Sequence, residues 1–130
     1  MRSFFLGLFM LPSFCFANEL KEVPSIYINP KLEKVFWEHP SIISNGYVVV
    51  DDLKKANYFF DHIPPDANFD SQDIIIFAWS GSTDDCIDYS AEEATYHFVY
   101  KKGMTQELTK HIKLFVMDKN NNWLYHRVLE

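Results

Sequence analysis

The chain has 130 residues, a formal net charge of −6 and an aromatic content of 17%, values that bound it to one domain with a ring-rich core. Its Lys and Arg residues are scattered, with only Lys54-Lys55 and Lys101-Lys102 adjacent, so no basic stripe exists to neutralise phosphates and no nucleic-acid partner is expected. The same negative balance argues against docking on an anionic membrane surface.

The first residues point to export. Met1-Arg2-Ser3 supplies one positive charge, Phe4 to Leu11 is almost unbroken apolar sequence, and Cys15-Phe16-Ala17 offers small residues where a signal peptidase reads. That order predicts a secretory signal peptide over residues 1–17. The apolar run is far short of the roughly 20 residues that span a bilayer, and a buried N-terminal helix would carry polar residues on one face. A lipoprotein needs small residues before its modified cysteine, whereas Phe14 precedes Cys15. Removal of 17 from 130 residues leaves 113, expected to form a single domain over 18–130 with no membrane span, and loss of Arg2 takes the charge from −6 to −7. Cys15 leaves with the leader, so Cys86 is the sole mature thiol and no internal disulfide can form. The expected location is periplasmic or extracellular.

Asn18 to Ser25 is polar and reads as a flexible lead-in, and Ile26-Tyr27-Ile28 as a short strand before the Asn29-Pro30 turn. Leu32 to Trp37 fits a helical face or an alternating strand equally, and Pro40 ends it. Asn45-Gly46 is a turn signal ahead of the β-branched run Tyr47 to Val50. Asp51-Asp52 stands where an N-cap belongs, and Leu53, Ala56, Phe59 and Phe60 recur at helical spacing. This predicts a helix over Asp52–His62, stopped by Pro64-Pro65.

Ile74-Ile75-Ile76-Phe77-Ala78-Trp79 is apolar at every position, which predicts a strand covered on both faces and therefore central in its sheet. A long loop is expected from Ser80 onward. Tyr96, Phe98 and Tyr100 then alternate with polar residues, Lys102-Gly103 turns the chain, Ile112, Leu114 and Val116 mark another strand, and Asn120-Asn121-Asn122 leads to a last strand at Trp123–Val128. Short links favour antiparallel pairing of these strands. The expected fold class is α+β: a single, mainly antiparallel sheet with one helix packed on a face.

The loop after the central strand holds the candidate binding residues Ser80, Gly81, Ser82, Asp84 and Asp85. Loops that leave central strands commonly carry function, and Gly81 would let backbone amides approach a ligand closely. A hydrolase elbow needs glycines on both sides of its serine, and this loop has one; a phosphate cradle needs several glycines and a lysine. Asp84, Asp85, Asp88, Glu92 and Glu93 form the densest acidic stretch, yet their spacing departs from the EF-hand loop, so a solvated turn is the plainer reading. Acidic neighbours raise the Cys86 thiol pKa, and Ile87 beside it suggests burial and an inert thiol. His97, His111 and His126 lie on or beside the last strands, where two could meet, although no Cys or carboxylate completes a tight metal set nearby. Trp79, Tyr89, Tyr96, Tyr100 and Tyr125 could line a patch, but most rings in a disulfide-free domain belong to its core.

Phe69-Asp70-x-x-Asp73 followed by Phe77-Ala78-Trp79-Ser80-Gly81-Ser82, with the Lys102-Gly103-Met104-Thr105 turn and the His111 strand, resembles a group of small exported bacterial domains. The resemblance covers about the last two-thirds of the chain and implies export and fold, with no activity attached. At Thr83-Asp84 this chain departs from the more glycine-rich continuation of that pattern. Taken together, the residues predict an exported, non-enzymatic binding module without a cofactor or metal. The rival readings are an extracytoplasmic hydrolase using the Ser80–Asp85 loop with a strand histidine, and a calcium-stabilised module.

Overall fold

The computed structural model describes residues 20–33, 38–65 and 67–128. The expected leader at 1–17 and the Lys34–Trp37 part of the ambiguous segment lie outside the described residues. In chain order the elements are β1 (Lys21–Val23), a 3-10 turn (Ser25–Tyr27), α1 (Pro30–Glu33), α2 (Pro40–Asn45), β2 (Tyr47–Val50) and α3 (Leu53–Phe59). Then follow β3 (Gln72–Ser82), β4 (Cys86–Glu92), β5 (Thr95–Lys101), β6 (Leu108–Asp118) and β7 (Asn122–Val128).

The isoleucine-rich segment is β3, and it lies inside its sheet as its composition requires. One sheet has the order β1-β6-β3-β2, with every pair antiparallel. Ile74, Ile75, Ile76, Phe77 and Ala78 are all buried. Because strand side chains alternate between faces, Ile74, Ile76 and Ala78 join Val48, Val50, Leu114 and Val116 against Ala56 and Phe59 of α3. Ile75 and Phe77 point the other way, to Phe115, Met117, Tyr96, Phe98 and Tyr100.

That second face is covered by another sheet, and here the single-sheet expectation fails. β4, β5 and β7 form a separate three-stranded sheet in which β4 pairs antiparallel and β7 parallel with β5. The reason lies in β6. Leu114 and Val116 fill the helix-side core while Phe115 and Met117 fill the core between the sheets, so β6 needs cover on both faces. A hairpin beside β5 would leave one of those faces in water. The chain instead crosses between layers at residues 102–107, lays β6 against β3, and turns back at 119–121 to place β7 beside β5. In this parallel pair β6 takes the connecting role that a helix takes in a βαβ unit. The protein is therefore mostly β, with a layer of short helices, a four-stranded sheet and a three-stranded sheet.

Other local expectations shift for equally local reasons. Asp52 caps α3, its Oδ1 accepting from Lys55 N at 2.8 Å, but the helix stops at Phe59 rather than His62 because Phe60 takes extended backbone and bridges Ile28. Ile26-Tyr27-Ile28 is not a strand; Ser25–Tyr27 forms a 3-10 turn, and the strand is Lys21–Val23 in the stretch read as a lead-in. The expected long loop after β3 is mostly β4, whose turn to β5 is only Glu93-Ala94. In α2, Pro40 occupies the first turn, His39 Nδ1 accepts from Ser41 N at 3.1 Å, and Gly46 closes the helix at φ 83. The described residues contain no helix long and apolar enough to cross a membrane.

Phe77 is the keystone of the inter-sheet core, with ring centroids 5.0 Å from Phe98 and Tyr125 and 6.0 Å from Phe115 and Tyr47. Phe77→Ala is expected to destabilise the fold by about 3–5 kcal/mol, read as a lowered urea midpoint. A loss below about 1 kcal/mol would contradict this packing.

Candidate functional site

β3 runs on past its partner β2 to Ser82, pairing with β6 as far as Leu108. Ser80, Gly81 and Ser82 are therefore strand rather than loop, and the turn proper is Thr83-Asp84. The structure brings this turn against the crossover 102–107 and ties the two together. Ser82 Oγ donates to the Thr105 carbonyl at 2.7 Å. Thr83 N donates to the Glu107 carbonyl at 3.0 Å, and Thr83 Oγ1 lies 2.8 Å from Thr109 Oγ1. The Asp84 carboxylate accepts from Met104 N, Thr105 N and Thr105 Oγ1 at 3.1–3.2 Å.

Asp85 anchors the same crossover from inside. Its side chain is buried and accepts from Gly103 N, from Tyr100 Oη at 2.8 Å and from Trp79 Nε1 at 3.2 Å. Burial raises the Asp85 pKa, but these donors and the nearby His111 outweigh it, and the net shift is downward. Tyr100 moves the other way: burial and then the Asp85 carboxylate push it up to about 12, which keeps its hydroxyl a donor. Asp84 is also lowered, by the Met104 and then the Thr105 backbone donors.

These contacts explain the glycine. A Cβ on Gly81 would collide with the Asp85 carboxylate, and one on Gly103 would collide with the side chain and backbone of Asp84. The space at Gly81 is filled by the protein's own carboxylate rather than kept open for a ligand. Of the five expected binding residues, Gly81, Ser82, Asp84 and Asp85 converge on the crossover. Ser80, which is exposed, lines a separate cleft and makes no side-chain contact with the crossover among the described residues.

The histidines separate. His111 stacks on Trp79, with centroids 4.7 Å apart, and its Nε2 lies 2.8 Å from the Ser82 carbonyl. That oxygen can only accept, so Nε2 carries the proton. The histidine thus meets Ser82 through its backbone, while the Ser82 hydroxyl is turned to Thr105; this is not the arrangement of a base activating a nucleophile. His97 lies 3.7 Å from Glu92 on the second sheet, and His126 is on β7, opposite Val99. Among the described residues, no group of three or more His, Cys, Asp or Glu side chains is placed to hold a metal ion. Cys86 is half-buried rather than buried. Burial, followed by the Asp88 charge, raises its pKa and disfavours the thiolate. Tyr96 and Tyr100 belong to the core, and Tyr89 is the one expected aromatic classed as exposed.

One feature lay outside the expected site. Arg127 packs its guanidinium 4.7 Å from the Tyr100 ring centroid, and it lines a cleft of about 250 Å³ with Ser44, Asn45, Gly46 and Ser80. A larger groove of about 740 Å³ lies by β2 and α3, and three of its polar residues are engaged within the fold: His39 and Asp52 cap helices and Lys55 pairs with Asp51 at 2.9 Å. Comparison with family models, curated proteins and solved structures finds no match to this chain.

Two outcomes follow from the clamp. Because its folded pKa is depressed, Asp85 contributes its stabilisation fully above the unfolded value of about 3.9 and loses it as pH falls through the folded value. Asp85→Asn is expected to cost about 1.5–3 kcal/mol at pH 7 and to flatten the acid side of the stability profile, as measured by urea midpoints from pH 7 downward. Gly81→Ala is expected to cost about 1–3 kcal/mol through overpacking; unchanged stability would mean that the space is open after all.

Proposed function

We propose that this chain is an exported, non-enzymatic binding module, released after Ala17, whose contact surface is the Ser80 side of the β3 exit. The observation that carries the reading is the division of labour within the strand-and-turn segment. Ser82, Asp84 and Asp85 direct their polar atoms to the crossover, so the segment is held rigid while Ser80 stays exposed beside an open cleft. Binding groups on rigid elements are better positioned than groups on free loops. The charged, apolar and small-residue order of the first 17 residues supports export, as does the resemblance carried by Phe77–Ser82.

The hydrolase reading is less well supported, because the Ser82 hydroxyl donates to a carbonyl and His111 reaches only the Ser82 backbone oxygen. The calcium reading asks Asp84 and Asp85 to face a common ion, whereas both face N–H and O–H donors.

Expression of the full chain in a bacterial host, with N-terminal sequencing of the envelope fraction, is expected to give a product that begins at Asn18. A photo-crosslinker at position 80 is expected to capture a discrete partner that the same probe at exposed position 31 does not. A product retaining Met1 in the cytoplasm, or equal labelling from both positions, would overturn the proposal.

A further inference from the structure

We propose that the cleft between the end of α2 and the exit of β3 binds a carboxylate through the guanidinium of Arg127. This rests on the binding-module reading and names the chemistry that its surface recognises.

The Arg127 guanidinium makes no hydrogen bond or ion pair among the described residues. Lys55, Lys101, Lys113 and Lys119, by contrast, are paired with carboxylates. Its planar group is oriented by the Tyr100 ring, so little side-chain freedom is lost when a ligand arrives. Gly46, which has no side chain, leaves room beside the guanidinium: Nη1 lies 3.9 Å from where a Cβ on Gly46 would stand. An oriented, unpaired guanidinium matches the two oxygens of a carboxylate through parallel hydrogen bonds.

The rest of the cleft supplies neutral donors. Ser44, Asn45 and Ser80 line it, and β3 offers its backbone there. The Gly46 carbonyl takes Ala78 N at 3.0 Å as the last rung between β3 and the start of β2. Rungs alternate along an antiparallel pair, so the next β3 residue to direct its N–H and C=O to that edge is Ser80, past the start of β2. A short extended chain ending in a carboxylate therefore finds backbone partners at Ser80 and a cation at Arg127, a combination of strand addition and terminus capture. A single positive charge in an acidic protein favours a monoanion over phosphate, whose second charge meets the surrounding negative field.

Isotope-labelled mature protein titrated with N-acetyl-trialanine, its C-terminal amide, sodium acetate and inorganic phosphate tests the proposal by NMR. Saturable shifts at the Gly46 and Ser80 amides and at Arg127 Nε are expected with the free acid, with the amide and phosphate at least about tenfold weaker. Acetate binding as tightly as the peptide identifies a small-acid site; peptide binding alone identifies a chain terminus. Arg127→Gln is expected to reduce affinity about tenfold or more. Ser80→Glu, which plants a carboxylate at the cleft on an exposed position, is expected to abolish binding without lowering the melting temperature. Equal binding of acid and amide, no saturable shift at the three positions, or unchanged affinity in Arg127→Gln overturns the inference. If the partner crosslinked from position 80 is still captured by Arg127→Gln, the carboxylate inference falls while the binding-module reading stands.

Discussion

A strand segment that is apolar at every position is costly to leave at a surface, and the Ile74–Trp79 stretch of β3 imposes that constraint on everything around it. With Ile74 to Ala78 fully buried, the four-stranded sheet must be roofed on both sides. The short helices supply one roof with Ala56 and Phe59, and a second sheet supplies the other with Tyr96, Phe98 and Tyr100. Burial of side chains such as these contributes about 1.5–3 kcal/mol each, and the described residues rely on it without a disulfide among them. β6 obeys the same rule beside β3, and its two-sided requirement draws the chain out of one sheet and into the other.

Movement between layers creates an engineering problem at residues 102–107. The crossover leaves a sheet edge and exposes backbone donors that need partners. Asp84 and Asp85 supply them, one from the solvent side and one from within, and Gly81 and Gly103 provide the room for those carboxylates to come close. Trp79, Tyr100 and His111 close the end of the core over the same carboxylate. The acidic turn is thus part of the joint between sheets. What the joint leaves open is the far edge of β3, where Ser80 and Arg127 line a cleft.

Much of the local structure is readable along the chain. The central position of β3 follows from its unbroken apolar run, and the start of α3 follows from Asp52 and the spacing of Ala56 and Phe59. β4 is not readable in the same way. Only Ile87 in it is buried, Asp88 to Glu92 are exposed, and its turn uses Glu93 at φ 54 rather than a glycine or asparagine, so neither alternation nor turn chemistry announces it. The candidate site was half legible: the segment is the right one, but which atoms of Ser82, Asp84 and Asp85 are committed internally depends on residues about 20 positions away. Arg127 gave no signal at all, because its partner ring and its cleft come from three separate elements.

The sequence alone determined which strand is innermost, where α3 is capped, the net charge, and the presence of one mature thiol if the leader is removed, since each depends on composition or on neighbours within a few residues. Only the tertiary structure decided that the strands divide into two sheets, that β7 runs parallel to β5, and that the carboxylates of the acidic turn grip the crossover. Those outcomes depend on which face of β6 finds cover and on contacts between distant segments, and free energy of that kind is shared across the whole packed core rather than written in any one stretch of residues.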